Sequence, residues 1–60
     1  MSEFNVDDNV KLPFGETGTI KKIHDFVWFK RYWVRIRKSN GFNKTNELVD
    51  FFEKNLELEN

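Results

Sequence analysis

The side chains in this sequence that could do chemistry are few. His24 is the single histidine, Asp25 follows it, the serines are Ser2 and Ser39, and there is no cysteine. A nucleophile needs a base within reach, and a metal needs several ligands. One imidazole beside one carboxylate supports neither a serine relay nor a two-histidine centre, and there is no thiol to stand in for either. The loop Gly15-Glu16-Thr17-Gly18 lacks the Lys-Ser/Thr pair and the helix of a phosphate cradle. The expectation is a chain that is not an enzyme, with no catalytic residue, no metal site and no cofactor.

A denser group is aromatic and basic. Trp28, Lys30, Arg31, Trp33, Arg35, Arg37 and Lys38 fall within one short stretch. Flat rings beside guanidinium groups suit base stacking and phosphate contact. They suit a protein interface equally, because Trp and Arg dominate interface hot spots. The plain alternative is that the arginine stems only shield Trp33 from water. Phe14 and the run Phe26–Phe29 form a second group. Four consecutive apolar residues in an extended segment cannot all face inward, so they make an exposed patch, an oligomer contact or, most commonly, a small second core under a loop.

The elements that must position these residues read as short strands. Alternation marks a first strand over Asn9–Leu12, a loop over Pro13–Thr17 and a second strand over Gly18–His24. Arg31–Lys38 is the clearest strand: Tyr32, Val34 and Ile36 share one face, and Trp33, Arg35 and Arg37 share the other. Gly15, Gly18 and Gly41 are expected in turns, with Asn40-Gly41 as a hairpin signal after Ser39. Gly18 should either hold a positive φ or lie where no side chain fits. The last third carries two patterns. Leu48, Phe51, Phe52 and Leu56 recur at helical spacing, which would give a three-stranded sheet with a C-terminal helix. The favoured pattern is a strand at Leu48–Phe51, one helical turn at Phe52–Asn55 and a closing strand at Leu56–Leu58, because a fifth strand closes the sheet into a small barrel.

Sixty residues bury only about 60% of their unfolded surface, so bulky core residues must carry the fold. Ten aromatics can do that, at roughly 150–250 Å² each. Net charge is zero, yet the charges are sorted. Residues 21–38 carry seven basic groups against Asp25 alone, while the segments on either side are acidic. Such blocks create a local field unless folding sets the acidic ends beside the basic middle. Neutrality counts against a nucleic-acid binder, and the basic middle counts for one. No apolar run approaches the ~18 residues of a membrane span, and the start lacks a signal-peptide pattern, so a cytoplasmic protein with no membrane partner is expected. The wealth of Asn, Lys and Phe suits an AT-rich genome, such as that of a low-GC bacterium or a phage.

The order of these features resembles the SH3-like small barrels, and within them the KOW and Tudor-like modules. Val6-Asp7-Asp8-Asn9-Val10 matches their opening, with Asp7 standing at the glycine of the usual Gly-Asp pair. Gly15-Glu16-Thr17-Gly18-Thr19-Ile20 matches the Gly-x-x-Gly-x-apolar turn, with Gly18 at the characteristic KOW glycine. Tyr32–Ile36 looks like the central strand, and Phe52–Leu58 like the helical turn and last strand. The resemblance implies an all-β barrel over residues 6–58, between a loose start at 1–5 and an end at 59–60. It implies a non-enzymatic module that docks on a larger protein, or alternatively a KOW-type nucleic-acid or ribonucleoprotein binder.

Overall fold

The computed structural model describes residues 4–59. It is all-β. Five antiparallel strands, β1 (Asn9–Lys11), β2 (Thr17–Asp25), β3 (Lys30–Lys38), β4 (Leu48–Phe52) and β5 (Glu57–Leu58), form one sheet in the order β4-β3-β2-β1-β5. A 3-10 turn at Glu53–Asn55 leads from β4 to β5. The helix read from the spacing of Leu48, Phe51, Phe52 and Leu56 is absent. Those residues divide between β4, which sits against β3, and the turn beyond it. β4 and β5 are the two edges of the sheet.

Alternation on β3 holds as expected. Tyr32, Val34 and Ile36 are fully buried, while Arg35 and Arg37 are exposed. Tyr32, Val34 and Ile36 join Phe4, Val10, Leu12, Ile20 and Leu56 in one cluster, with Ile23, Val49 and Phe51 partly buried against it. Ile20 and Ile23 both face this core although they are three apart. A bulge at Lys21 makes that possible, since the register runs from Ile20↔Val34 directly to Lys22↔Trp33.

Phe4, expected in a loose start, is instead 4% exposed, with its ring edge-on to Tyr32 at 5.5 Å. The chain between Phe4 and β1 is held as well. Asp8 caps the Asn5 N–H at 2.8 Å, and Asp7 N–H donates to the Ile20 carbonyl at 2.7 Å. At the other end Glu59 N–H donates to the Asn9 carbonyl, which ties residue 59 to the sheet.

Gly18 meets one of its two expectations: it lies where no side chain fits, inside β2 and paired with Val10 and Ile36, and not in the turn. Its role is close approach: a Cβ there would fall 2.7 Å from the Arg35 carbonyl oxygen and 2.4 Å from Val34 Cγ1. Gly18→Ala should cost about 1–3 kcal/mol through overpacking, read as a lower denaturant midpoint at unchanged slope. An unaltered midpoint would place β3 further from β2 than this.

Gly15 and Gly41 do occupy turns, at φ 85° and 91°. Gly41, however, belongs to a long loop (residues 39–47) and not to a tight hairpin. Ser39 Oγ accepts from the Gly41 N–H and donates to the Asn43 carbonyl, and Asn40 donates its side-chain amide to the Phe14 carbonyl at 2.6 Å. The loop is thereby clasped to the β1–β2 loop. Glu16, 1% exposed, completes the clasp by accepting from Asn43 N–H at 2.7 Å and from its side-chain amide at 2.9 Å. Glu16→Ala strands those donors, so about 1–3 kcal/mol of stability should be lost in thermal melts, with Glu16→Gln losing less. Equal stability of all three proteins would remove the clasp from the account.

Candidate functional site: an aromatic hairpin tip and the face behind it

β2 and β3 run together to Asp25↔Lys30, and Phe26 N–H donates to the Phe29 carbonyl at 2.8 Å. Val27 and Trp28 therefore form the apex, 87% and 89% exposed. Two-residue hairpin turns favour Gly, Asn or Asp, because the matching turn types need positive φ. Here two bulky apolar residues stand at the apex, and neither takes a positive φ. Local turn chemistry does not explain that choice.

Behind the apex the rings are ordered. His24 stacks on Phe26 at 4.4 Å, Phe26 on Phe29 at 4.7 Å, and Phe29 meets Phe52 edge-on at 5.6 Å. The Arg31 guanidinium lies 4.9 Å over the Phe52 ring and forms an ion pair with Asp50. Phe29 and Phe52, with Lys30, Glu53 and Lys54, line an open cleft of about 300 Å³. The small second core expected under Phe26–Phe29 does not form. These side chains make an exposed patch with its own internal stacking.

The face behind the tip continues along β3. Trp33 is half-buried between its cross-strand neighbours Lys22 and Asp50, and Arg35 stands between Thr19 and Leu48. Trp28, Lys30 and Arg31 thus cluster at the tip, and Trp33 and Arg35 extend from it. Arg37 and Lys38 lie at the far end. A register shift between Thr17 and Gly18 leaves Arg37 with no cross-strand partner on β2, and its side chain pairs with Glu59. Phe14 is also apart from the tip. It lies beyond the start of β2, against Phe42 at 5.0 Å.

The charge blocks meet across the fold. Asp7 pairs with Lys21 at 3.5 Å, Asp50 with Arg31, and Glu59 with Arg37, so acidic residues from both ends neutralise part of the basic middle. Among the described residues, no three His, Asp or Glu side chains converge to hold a metal ion. No described helix is long and apolar enough to cross a membrane. Phe52 was missed as a site residue from sequence, because only the register Arg31↔Phe52 brings it beside Phe29 and Arg31. No protein-family model and no curated protein sequence matches the chain.

Proposed function

We propose that this chain is a non-enzymatic module that docks on a larger protein, with Trp28 at the hairpin tip as its anchor. Phe26, Phe29 and Phe52 lie behind it, and Arg31, Trp33 and Arg35 extend the contact. The observation that carries this reading is the apex itself. Val27 and Trp28 occupy positions where turn chemistry prefers Gly or Asn, and almost their whole surface is open. An exposed Trp at the apex of a paired hairpin is a large aromatic surface of the kind that anchors an interface.

Two features favour protein over nucleic acid as the partner. Rings that stack on bases need free faces, and His24, Phe26 and Phe29 turn theirs to one another. A phosphate would have to compete with carboxylates at three of the seven basic residues of 21–38, Lys21, Arg31 and Arg37.

The same reading takes the sheet as a partly open SH3-like barrel of KOW or Tudor-like type, with β4 and β5 at its open seam. The strand order, the 3-10 turn before β5 and the bulge at Lys21 all support it. A single sheet that brings Val10, Ile20, Val34, Val49 and Leu56 into one cluster must bend strongly around them. Asp7 adds a local sign. It holds φ 77°, a glycine conformation, at the position where the resembled modules carry glycine.

The test is capture from a lysate of the source cell, with and without nuclease, by the native protein and by Trp28→Ala. Nuclease-resistant capture that Trp28→Ala loses is the expected result. Capture abolished by nuclease would replace this reading with the nucleic-acid one.

A further inference from the structure

We propose that the open edge of β4 accepts an extended segment of the partner protein, with a basic residue opposite Asp50 and apolar residues on either side of it. The inference rests on the protein-docking reading above and names the chemistry of the partner.

The sheet manages its two edges differently. β5 is two residues long, and a short edge offers little to pair with. β4 is five residues long, Leu-Val-Asp-Phe-Phe, with four apolar side chains and neither lysine nor proline. It pairs with β3 residue for residue, without the bulge that would twist the edge away. Among the described residues it has a neighbour on one side only. Alternate backbone N–H and C=O groups of an antiparallel strand therefore point outward along it.

The side chains define what would pair there. Val49 and Phe51 are half-buried at the rim of the core, so an added strand covers them best with apolar residues. On the other face it would lie beside Leu48, Asp50 and Phe52. Phe52 also walls the cleft shared with Phe29, so this edge is continuous with the hairpin tip.

A second copy of this chain is the obvious rival occupant. Pairing antiparallel over all five residues would set Leu48 against Phe52 and Asp50 against Asp50 of the other copy. Like charges directly opposite are destabilising, whereas a lysine or arginine there is favourable. Asp50 leans on Arg31 from the β3 side and keeps 26% of its side chain exposed for such a contact.

The test uses three peptides with blocked ends, Thr-Val-Lys-Val-Thr and its versions with Ser or Glu in the centre, titrated into isotope-labelled protein. Amide resonances of residues 48–52 should shift, and the Lys peptide should bind about tenfold more tightly than the Glu peptide. Two further Lys peptides carry N-methyl groups on alternate amides. One set should abolish binding and the other leave it, since only alternate N–H groups of a strand face its neighbour.

Equal affinity for Lys and Glu peptides, tolerance of both methylation sets, or shifts confined away from β4 would each overturn the proposal. So would sedimentation of the native protein as a dimer whose contacts map to β4. Trp28→Ala separates this inference from the reading beneath it. Capture lost in that variant, with no peptide engaging β4, keeps the docking module and rejects the strand acceptor. Peptide binding at β4 with capture unchanged by Trp28→Ala keeps the strand acceptor and rejects the tip as anchor.

Discussion

Ile36→Ala is expected to remove about 2–5 kcal/mol of stability, the cost of a cavity at a fully buried aliphatic position. A chain of this size has about 3–9 kcal/mol in total, so the loss is a large share of it and brings the domain close to unfolding at growth temperature. Ile36 carries more than its own volume. It sits on β3 opposite Gly18, and its backbone donates to the Glu47 carbonyl and accepts from Asn46 N–H, fixing the entrance to β4. The control is its neighbour Arg35, which points to solvent. Arg35→Ala should stay within about 0.5 kcal/mol of the native protein. Thermal melts followed by tryptophan fluorescence compare the two directly. A stable Ile36→Ala beside an unfolded Arg35→Ala would mean that β3 is assigned with its faces exchanged.

That contrast was readable in the sequence because β3 differs chemically on its two faces. Tyr32, Val34 and Ile36 alternate with Trp33, Arg35 and Arg37, and period two leaves a single register. The strand, turn and strand at the C-terminal end were readable too, from one short apolar run and the alternation of Leu56-Glu57-Leu58. The fifth strand expected to close the sheet nevertheless leaves β4 and β5 as its edges. Other features depend on partners far away in sequence. Phe4 is buried because Tyr32 receives it, and no local pattern announces that. Asn40-Gly41 carries a strong hairpin signal, yet Asn40 is bound to Phe14 and Ser39 to Asn43, and these contacts hold a long loop open. The bulge at Lys21 is silent in sequence, since either neighbouring residue could have been the extra one.

The candidate site divides in the same way. Trp33 and Arg35 share a face because alternation on one strand requires it. Arg37 belongs to that face by counting alone, and the register shift beside Gly18 takes it to Glu59. The ring stack draws His24 from β2, Phe26 and Phe29 from the hairpin end and Phe52 from β4, so its assembly needs the pairing of three strands. The neutralisation of the basic middle is likewise a tertiary fact. Composition could pose the question of whether the charge blocks meet, and only the ion pairs of Asp7, Asp50 and Glu59 answer it.

Trp28→Ala should leave folding untouched and weaken partner binding by about 30-fold or more, the loss of a hot spot worth at least about 2 kcal/mol. The two halves of this expectation have one cause. The Trp28 ring is 89% exposed and has no ring contact with the stack behind it, so its removal opens no cavity. The same exposure makes it the largest apolar surface the tip can bury in a pocket. Trp33→Ala with Arg35→Glu makes the instructive comparison. Trp33 is half-buried between Lys22 and Asp50, so that double variant should melt earlier and lose less affinity than Trp28→Ala. Salt decides the nature of the contact. An aromatic anchor in a protein pocket changes little between 50 and 200 mM salt, whereas binding through six or more phosphates falls by about 10³-fold over that range. Titration of the captured partner against the native protein and both variants, at each salt concentration, reads all of these at once. Native affinity in a folded Trp28→Ala protein would take the anchor away from the hairpin tip and leave it to the Trp33 face.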